Sequence, residues 1–286
     1  MRIANLSHRL VLVSDDRTLD VETASGGRFS ADPAAIFERW EEFRAWGAGV
    51  DVAGHAEAVA FDPTQLEAPS PRPRQVVGVG LNYADHAAEA GLPLPESPVV
   101  FTKFASSVAG PDIDVHLPGE TVDWEAELVI VIGAGGRDIP RSDAAARIAG
   151  FTVGQDLSER TVQWQGTPAQ FSMGKSYENF APTGPSIVTL DEFDDSDRLA
   201  ISATITGVDG VEARVQDSST DQLVFGIDDL VSRLSHTIEL LPGDLIFTGT
   251  PPGVGMGMNP KRYLQDGETL TTVIEGIGAI VQRFHA

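Results

Sequence analysis

Short apolar runs, each cut off by Gly, Pro or Asp, recur along most of this chain. They are RLVLVSD near the N-terminus, then VVGVGLNY, SPVVFTKF, ELVIVIG, GFTVGQD, PSIVTL, LAISATITG, GDLIFTGT, ETLTTVIEGIG and AIVQRF. Their length and β-branched content predict strands. Helical periods are fewer: DPAAIFERWEEFRAWG, where Asp32 caps and Pro33 opens the first turn, then RSDAAARIAG and FGIDDLVSRLSHTIE. The strand–helix alternation of a doubly wound parallel sheet is missing, so the pattern predicts an α+β, β-rich fold built as a mixed roll or sandwich. The Pro-rich stretch 68-APSPRPRQ-75 reads as a linker. It divides a small N-terminal α/β unit, residues 1–70, from a larger domain at 71–286. No internal repeat of fixed period is present.

One run breaks the pattern. In 121-TVDWEAELVIVIG-133, Asp123, Glu125 and Glu127 alternate at the mouth of an otherwise apolar strand. Residues i, i+2 and i+4 of a strand share a face, and at about 3.3 Å per residue the Cα atoms of Glu125 and Glu127 stand roughly 6.6 Å apart. Both side chains then reach one cation. Taken alone, the alternation equally describes a solvent-facing strand edge.

Composition narrows the choices. The 286 residues are 42% hydrophobic, enough for a sizeable core, and no apolar run is long enough to cross a membrane as a helix. The N-terminus lacks the apolar stretch of a signal peptide, so a soluble cytoplasmic protein is expected. A formal net charge of −22, from 20 basic and 42 acidic residues, argues against nucleic acid and anionic membranes as partners. The chain has no cysteine, so any metal is held by oxygen or nitrogen, and paired carboxylates favour a hard ion, Mg²⁺ or Mn²⁺. Of only three lysines, Lys103 and Lys175 fall in motif-bearing segments.

Four further segments carry candidate chemistry. In GFTVGQDLSERTVQW a strand-like run ends at Asp156, with Arg160 and Gln163 at +4 and +7 on one face of a helical turn; an N-cap Asp on a surface helix is the plainer alternative. In 82-NYADHAAEAGLP-93, His86 and Glu89 are i, i+3 on a short helix, a spacing that lets the carboxylate orient the imidazole as a base for water. The Gly/Pro-rich surroundings suit a lid. In 242-PGDLIFTGTPPGVGMG-257 the glycines and Thr250 offer backbone N–H groups to a carboxylate, without the Gly-Lys-Ser/Thr of a Walker loop. In 172-SMGKSYENFAPTGP-185, Lys175 is placed to stabilise an enolate or carboxylate, if it is not simply solvated.

Read together, GLNYADHAAEAG, PVVFTKFASSVAGP, VDWEAELVIVIG, GFTVGQDLSERTVQ, GKSYENFAPTGP and LPGDLIFTGTPPGVG, in this order over roughly residues 76–284, resemble the fumarylacetoacetate hydrolase family. The likeness is to its smaller members, the acylpyruvate hydrolase-like and 2-hydroxyhepta-2,4-diene-1,7-dioate isomerase-like branch. The resemblance implies a β-roll catalytic domain, a homodimer, and one Mg²⁺ or Mn²⁺ per subunit. It implies Glu125, Glu127 and Asp156 as metal ligands, with Asp123 at a motif position that is not a ligand. It further implies His86, Glu89 and Lys175 as catalytic groups, and Tyr83, Lys103, Arg160, Gln163 and Thr250 around the substrate. The larger fumarylacetoacetate-cleaving members have an additional Asp ligand where this chain has Asn82.

The expected activity is metal-dependent C–C cleavage of a β-diketo acid of the acylpyruvate or fumarylpyruvate type, as in the catabolism of aromatic compounds. An oxaloacetate decarboxylase or a 2-hydroxymuconate-type isomerase uses the same metal-held enolate. A non-catalytic metal-dependent dicarboxylate binder is the alternative of another class.

Overall fold

The chain folds, in a computed structural model that describes residues 1–85 and 94–286, into two main sheets with helices at their margins. His86 and Glu89 lie outside the described residues. The N-terminal strands are β1 (Arg2–Leu6), β2 (Arg9–Ser14), β3 (Arg17–Asp20), β4 (Val59–Ala60) and β5 (Leu66–Glu67). After the Pro-rich stretch come β6 (Val76–Gly80), β7 (Val99–Thr102), β8 (Val108–Ala109), β9 (Asp112–His116), β10 (Val122–Asp123), β11 (Ala126–Ile132), β12 (Ile148–Gln155), β13 (Ser158–Glu159) and β14 (Ala181–Val188). The last are β15 (Ala200–Thr206), β16 (Glu212–Ser219), β17 (Leu245–Phe247), β18 (Thr269–Ile274) and β19 (Gly278–His285).

The larger sheet runs β4-β3-β2-β1-β14-β12-β11-β17-β6-β7, with β5 on β1 and β8 on β14. The N-terminal segment is therefore not separate from the central sheet: β1 pairs antiparallel with β14, Arg2 opposite Val188 and Ile3 opposite Ile187. A second sheet, β16-β15-β18-β19-β9, packs on one face. The fold is α+β and β-rich, as the run pattern predicts. Among the described residues no helix is long and apolar enough to cross a membrane.

Strand β11 shows why the site is rigid. All seven of its residues are buried, and its two faces serve two cores. Leu128, Ile130 and Ile132 pack with Ile201, Leu270 and the helix Ile227–Thr237, whose Ile227, Leu230, Val231 and Leu234 form an i, i+3, i+4, i+7 stripe. Val129 and Val131 pack with Leu245, Phe247 and the N-terminal Phe37, Trp40 and Phe43. Burying each such side chain contributes about 1.5–3 kcal/mol.

Two local readings differ from the pattern. The helix expected over RSDAAARIAG is only Ala144–Arg147, because Ile148 already starts β12 and finds its partners on β11. The Pro/Gly-rich stretch APTG, outside the apolar runs read as strands, is the first half of β14, and the pairing with β12 shifts register there.

Candidate metal centre

Register brings the acidic residues together. Across β11 and β12, Glu127 lies opposite Gly154 and Ala126 opposite Gln155, so the next residue on each strand, Glu125 and Asp156, also face one another. The Asp156 amide donates to the Glu125 carbonyl at 2.9 Å. A two-residue ladder between β10 and β13, Asp123 opposite Ser158, holds the two segments beyond that point. One carboxylate oxygen from each of Glu125, Glu127 and Asp156 then lies within 4.8 Å of the others.

Side chains with no signal of their own brace this junction. The Gln155 Oε1 accepts from the Glu125 amide (2.9 Å), and its Nε2 donates to Thr272 Oγ1 (2.7 Å). Gln216 accepts from the Ala126 amide (3.0 Å) and donates to Thr250 Oγ1 and the Pro251 carbonyl, both at 2.8 Å. Neither glutamine stood out among the candidates, although a Gln inside an apolar strand is the available hint. Gly249 donates its N–H to Glu127 Oε2 at 2.7 Å from a backbone with φ of 105°, and a Cβ there would meet Asn82 Cβ at 2.8 Å.

Three buried cations answer the carboxylates. Lys175 Nζ reaches Asp156 Oδ2 at 2.5 Å and Glu125 Oε2 at 2.9 Å. Lys103 Nζ lies 2.5 Å from Asp156 Oδ1 and also donates to the Lys175 carbonyl. Arg160 bridges Asp123 (Nε, 2.8 Å) and Glu125 (Nη1, 2.7 Å) and donates to Gln163 Oε1 (2.8 Å). Asp123 belongs to this scaffold: besides Arg160 it accepts the amides of Trp124, Gly255 and Met256 at 2.7–2.9 Å.

The charges are unevenly shared. Burial raises the Glu125 carboxyl, but Lys175 and Arg160 outweigh it and hold Glu125 down at about 2. Burial also opposes the charge on Lys175, which Asp156 and Glu125 overcome, leaving its pKa raised. Among the described residues no cation contacts Glu127; burial, then Asp156 and Glu125, push it well above the usual carboxylate range. Among the described residues, ionising Glu127 sets the four carboxylates Asp123, Glu125, Glu127 and Asp156 against the three cations and leaves one negative charge in excess. A divalent ion among three oxygen donors reverses that sign and relieves Glu127, so the residues fit Mg²⁺ or Mn²⁺.

A cavity of about 220 Å³ opens beside the cluster. Glu125, Arg160, Gln163, Lys175 and Thr250 line it, so the fold gathers candidates drawn from four separate motifs. Four other described candidates, Tyr83, Lys103, Glu127 and Asp156, are not among its lining. Lys103 stands behind Asp156 with no exposure, and Tyr83 is fully buried, bridged to Leu223, its phenol pushed up by burial and by Glu127. Asn82 is no ligand: its amide spans the Thr248 carbonyl (2.7 Å), the Phe225 carbonyl (3.1 Å) and the Phe225 amide (2.8 Å).

The family model described as fumarylacetoacetate hydrolase, C-terminal, matches residues 75–285. Human mitochondrial oxaloacetate tautomerase FAHD2A is 42% identical over 218 residues, 76% of this chain and 68% of that protein. Among solved structures, a Mycobacterium smegmatis protein assigned as HpcE superposes with a TM-score of 0.91 at 49% identity, covering 100% of this chain and 99% of the other. Maleylpyruvate hydrolase from Sphingobium sp. SYK-6, solved with manganese(II) and pyruvate, superposes with a TM-score of 0.79 at 26% identity, covering 100% of each chain.

Proposed function

The chain belongs to the fumarylacetoacetate hydrolase family, and from that premise we propose that it is a Mg²⁺- or Mn²⁺-dependent hydrolase cleaving a C–C bond of an acylpyruvate-type β-diketo acid. One observation carries the reading. Three carboxylates converge, and one of them, Glu125, lines a cavity that also presents Arg160, Gln163 and Lys175. At about 220 Å³ the space is below the roughly 300–1,000 Å³ of drug-sized sites, which suits a small acid.

Glu125, Glu127 and Asp156 would hold the ion. When bound, it supplies the positive charge that stabilises an enolate and orients a 2-oxo acid. Arg160, fixed by Asp123, and Gln163 form a hydrogen-bonding face for the acid's oxygens, and Lys175 adds a positive charge beside Glu125. His86, oriented by Glu89, takes a proton from water as the oxygen adds to the distal carbonyl. The C–C bond then breaks with its electron pair on the pyruvate side, and His86 returns the proton to that carbon. The products are pyruvate and a carboxylic acid.

A second reading has a specific observation behind it. The human relative's name assigns it enol–keto interconversion of oxaloacetate, which needs the same enolate and no attacking water. Decarboxylation and isomerisation share that intermediate. The deciding experiment screens acylpyruvates, oxaloacetate and hydroxymuconates with either ion, following enol absorbance and pyruvate release. His86→Ala is expected to abolish hydrolysis while leaving Mn²⁺ affinity unchanged; undiminished acylpyruvate cleavage would remove the assigned role. We take the working form to be a cytoplasmic homodimer, which light scattering of the purified protein tests for assembly.

A further inference from the structure

The cavity has two chemically different ends. Its polar end is the cluster of Glu125, Arg160, Gln163 and Lys175. From there an aromatic wall leads outward: Lys175 Nζ sits 4.9 Å from the Phe101 ring centroid, Phe101 lies 5.9 Å from Phe171, and Phe171 lies 5.1 Å from Trp164 in an edge-to-face pair. Leu81, Val254 and Met256 add aliphatic surface. Trp164 is 51% exposed, so the wall reaches the mouth.

The cations decide what this wall can accept. Among the described residues lining the cavity, the basic side chains are Arg160 and Lys175, and both stand at the polar end. Each is already shared between two carboxylates, Arg160 between Asp123 and Glu125, Lys175 between Glu125 and Asp156. Residues 86–93, HAAEAGLP, contain neither Lys nor Arg, and their one basic side chain, His86, is committed to water in the mechanism above. A second carboxylate on the substrate would leave water for an aromatic surface with no partner charge, which is strongly unfavourable.

We propose that the distal group of the substrate is uncharged and apolar, seated against the Phe101–Phe171–Trp164 wall, so that monocarboxylic 2-oxo acids are taken in preference to dicarboxylic ones. This rests on the reading of the polar end as a metal-dependent 2-oxo acid site. It also runs against the substrate named for the human relative, since oxaloacetate carries a second carboxylate. Trp164 and Phe171 are then specificity-determining residues.

The test measures binding, so it does not depend on which reaction follows. Calorimetry of the Mn²⁺-loaded protein compares 2-oxoglutarate with 5-methyl-2-oxohexanoate, in which an isopropyl group replaces the distal carboxylate at similar shape. The apolar acid is expected to bind at least about tenfold more tightly, since even one methylene in an apolar pocket is worth roughly 10–200-fold. Trp164→Ala should shrink that ratio and Phe171→Arg should invert it; general damage to the fold weakens both acids alike and leaves the ratio in place. Equal or tighter binding of 2-oxoglutarate by the unaltered protein overturns the inference, even if diketo acids are cleaved. A preserved ratio without cleavage of any diketo acid removes the hydrolase reading and leaves the inference standing. Failure of both acids to bind in the presence of Mn²⁺ removes both.

Discussion

Lys103 stands directly behind Asp156, its Nζ 2.5 Å from Oδ1, and neither side chain has any exposure to solvent. The other oxygen of Asp156 faces Lys175, so one carboxylate is gripped from both sides at the point where it would turn towards an ion. Lys103 therefore acts on the site through Asp156. Replacing it with Met leaves a buried carboxylate short of a partner, which typically costs about 3–5 kcal/mol. Urea unfolding of Lys103→Met should show a clearly lower midpoint, and Mn²⁺ titration a weaker affinity. An unchanged midpoint would sink this account of the pair.

Arg160 owes its orientation to Asp123. Because Asp123 also holds the amides of Gly255 and Met256, it ties the 253–257 loop to β10, just ahead of β11. Asp123→Asn keeps the shape but removes the charge that fixes the guanidinium. Outer partners of this kind usually matter by roughly 10–100-fold in metal affinity or activity. The expected result is a loss in that range, read from Mn²⁺ binding and from kcat/KM together. No change in either would show that Arg160 needs no anchor.

These two pairs also mark how far the sequence could be read. Glu125 and Glu127 were legible because strand periodicity is local, and Asp156 because it closes a strand-like run. The distinction of Asp123 from its two neighbours was not contained in that periodicity, which places all three on one face. It depends on Gly255 and Met256, more than 130 residues away. The β-rich class followed from the run pattern; the pairing of β1 with β14 did not, since a short apolar strand does not encode its partner. Gln155 and Gln216 escaped notice because their work is with backbone groups on other strands.

Asn82 invites a direct test, because the family resemblance sets it where the larger members are expected to carry an Asp ligand. Its Nδ2 donates to two carbonyls, Phe225 and Thr248. An aspartate donates to neither and would set a buried charge against two oxygens. Asn82→Asp should therefore lose about 1–3 kcal/mol or more, visible as a lower thermal midpoint, without any gain in Mn²⁺ affinity. Tighter Mn²⁺ binding by the variant would mean that position 82 can turn to the ion after all.

Glu127 links the metal to pH. Without an ion, burial and the charges of Asp156 and Glu125 raise its carboxyl well above the ordinary 4.5. The native state then holds more protons than the unfolded chain between those two values, so metal-free stability falls as pH rises through that window. Ligation needs the carboxylate, so Mn²⁺ affinity should rise over the same window, with release of a proton on binding. Glu127→Gln should abolish both the pH dependence and most of the affinity, whereas Glu125→Ala should lose affinity while leaving a neutral Glu127 in place. Calorimetry in buffers of different ionisation enthalpy counts the proton, and thermal unfolding with and without Mn²⁺ follows the stability. Affinity that stays flat from acid to neutral pH would place the uncompensated proton somewhere other than Glu127.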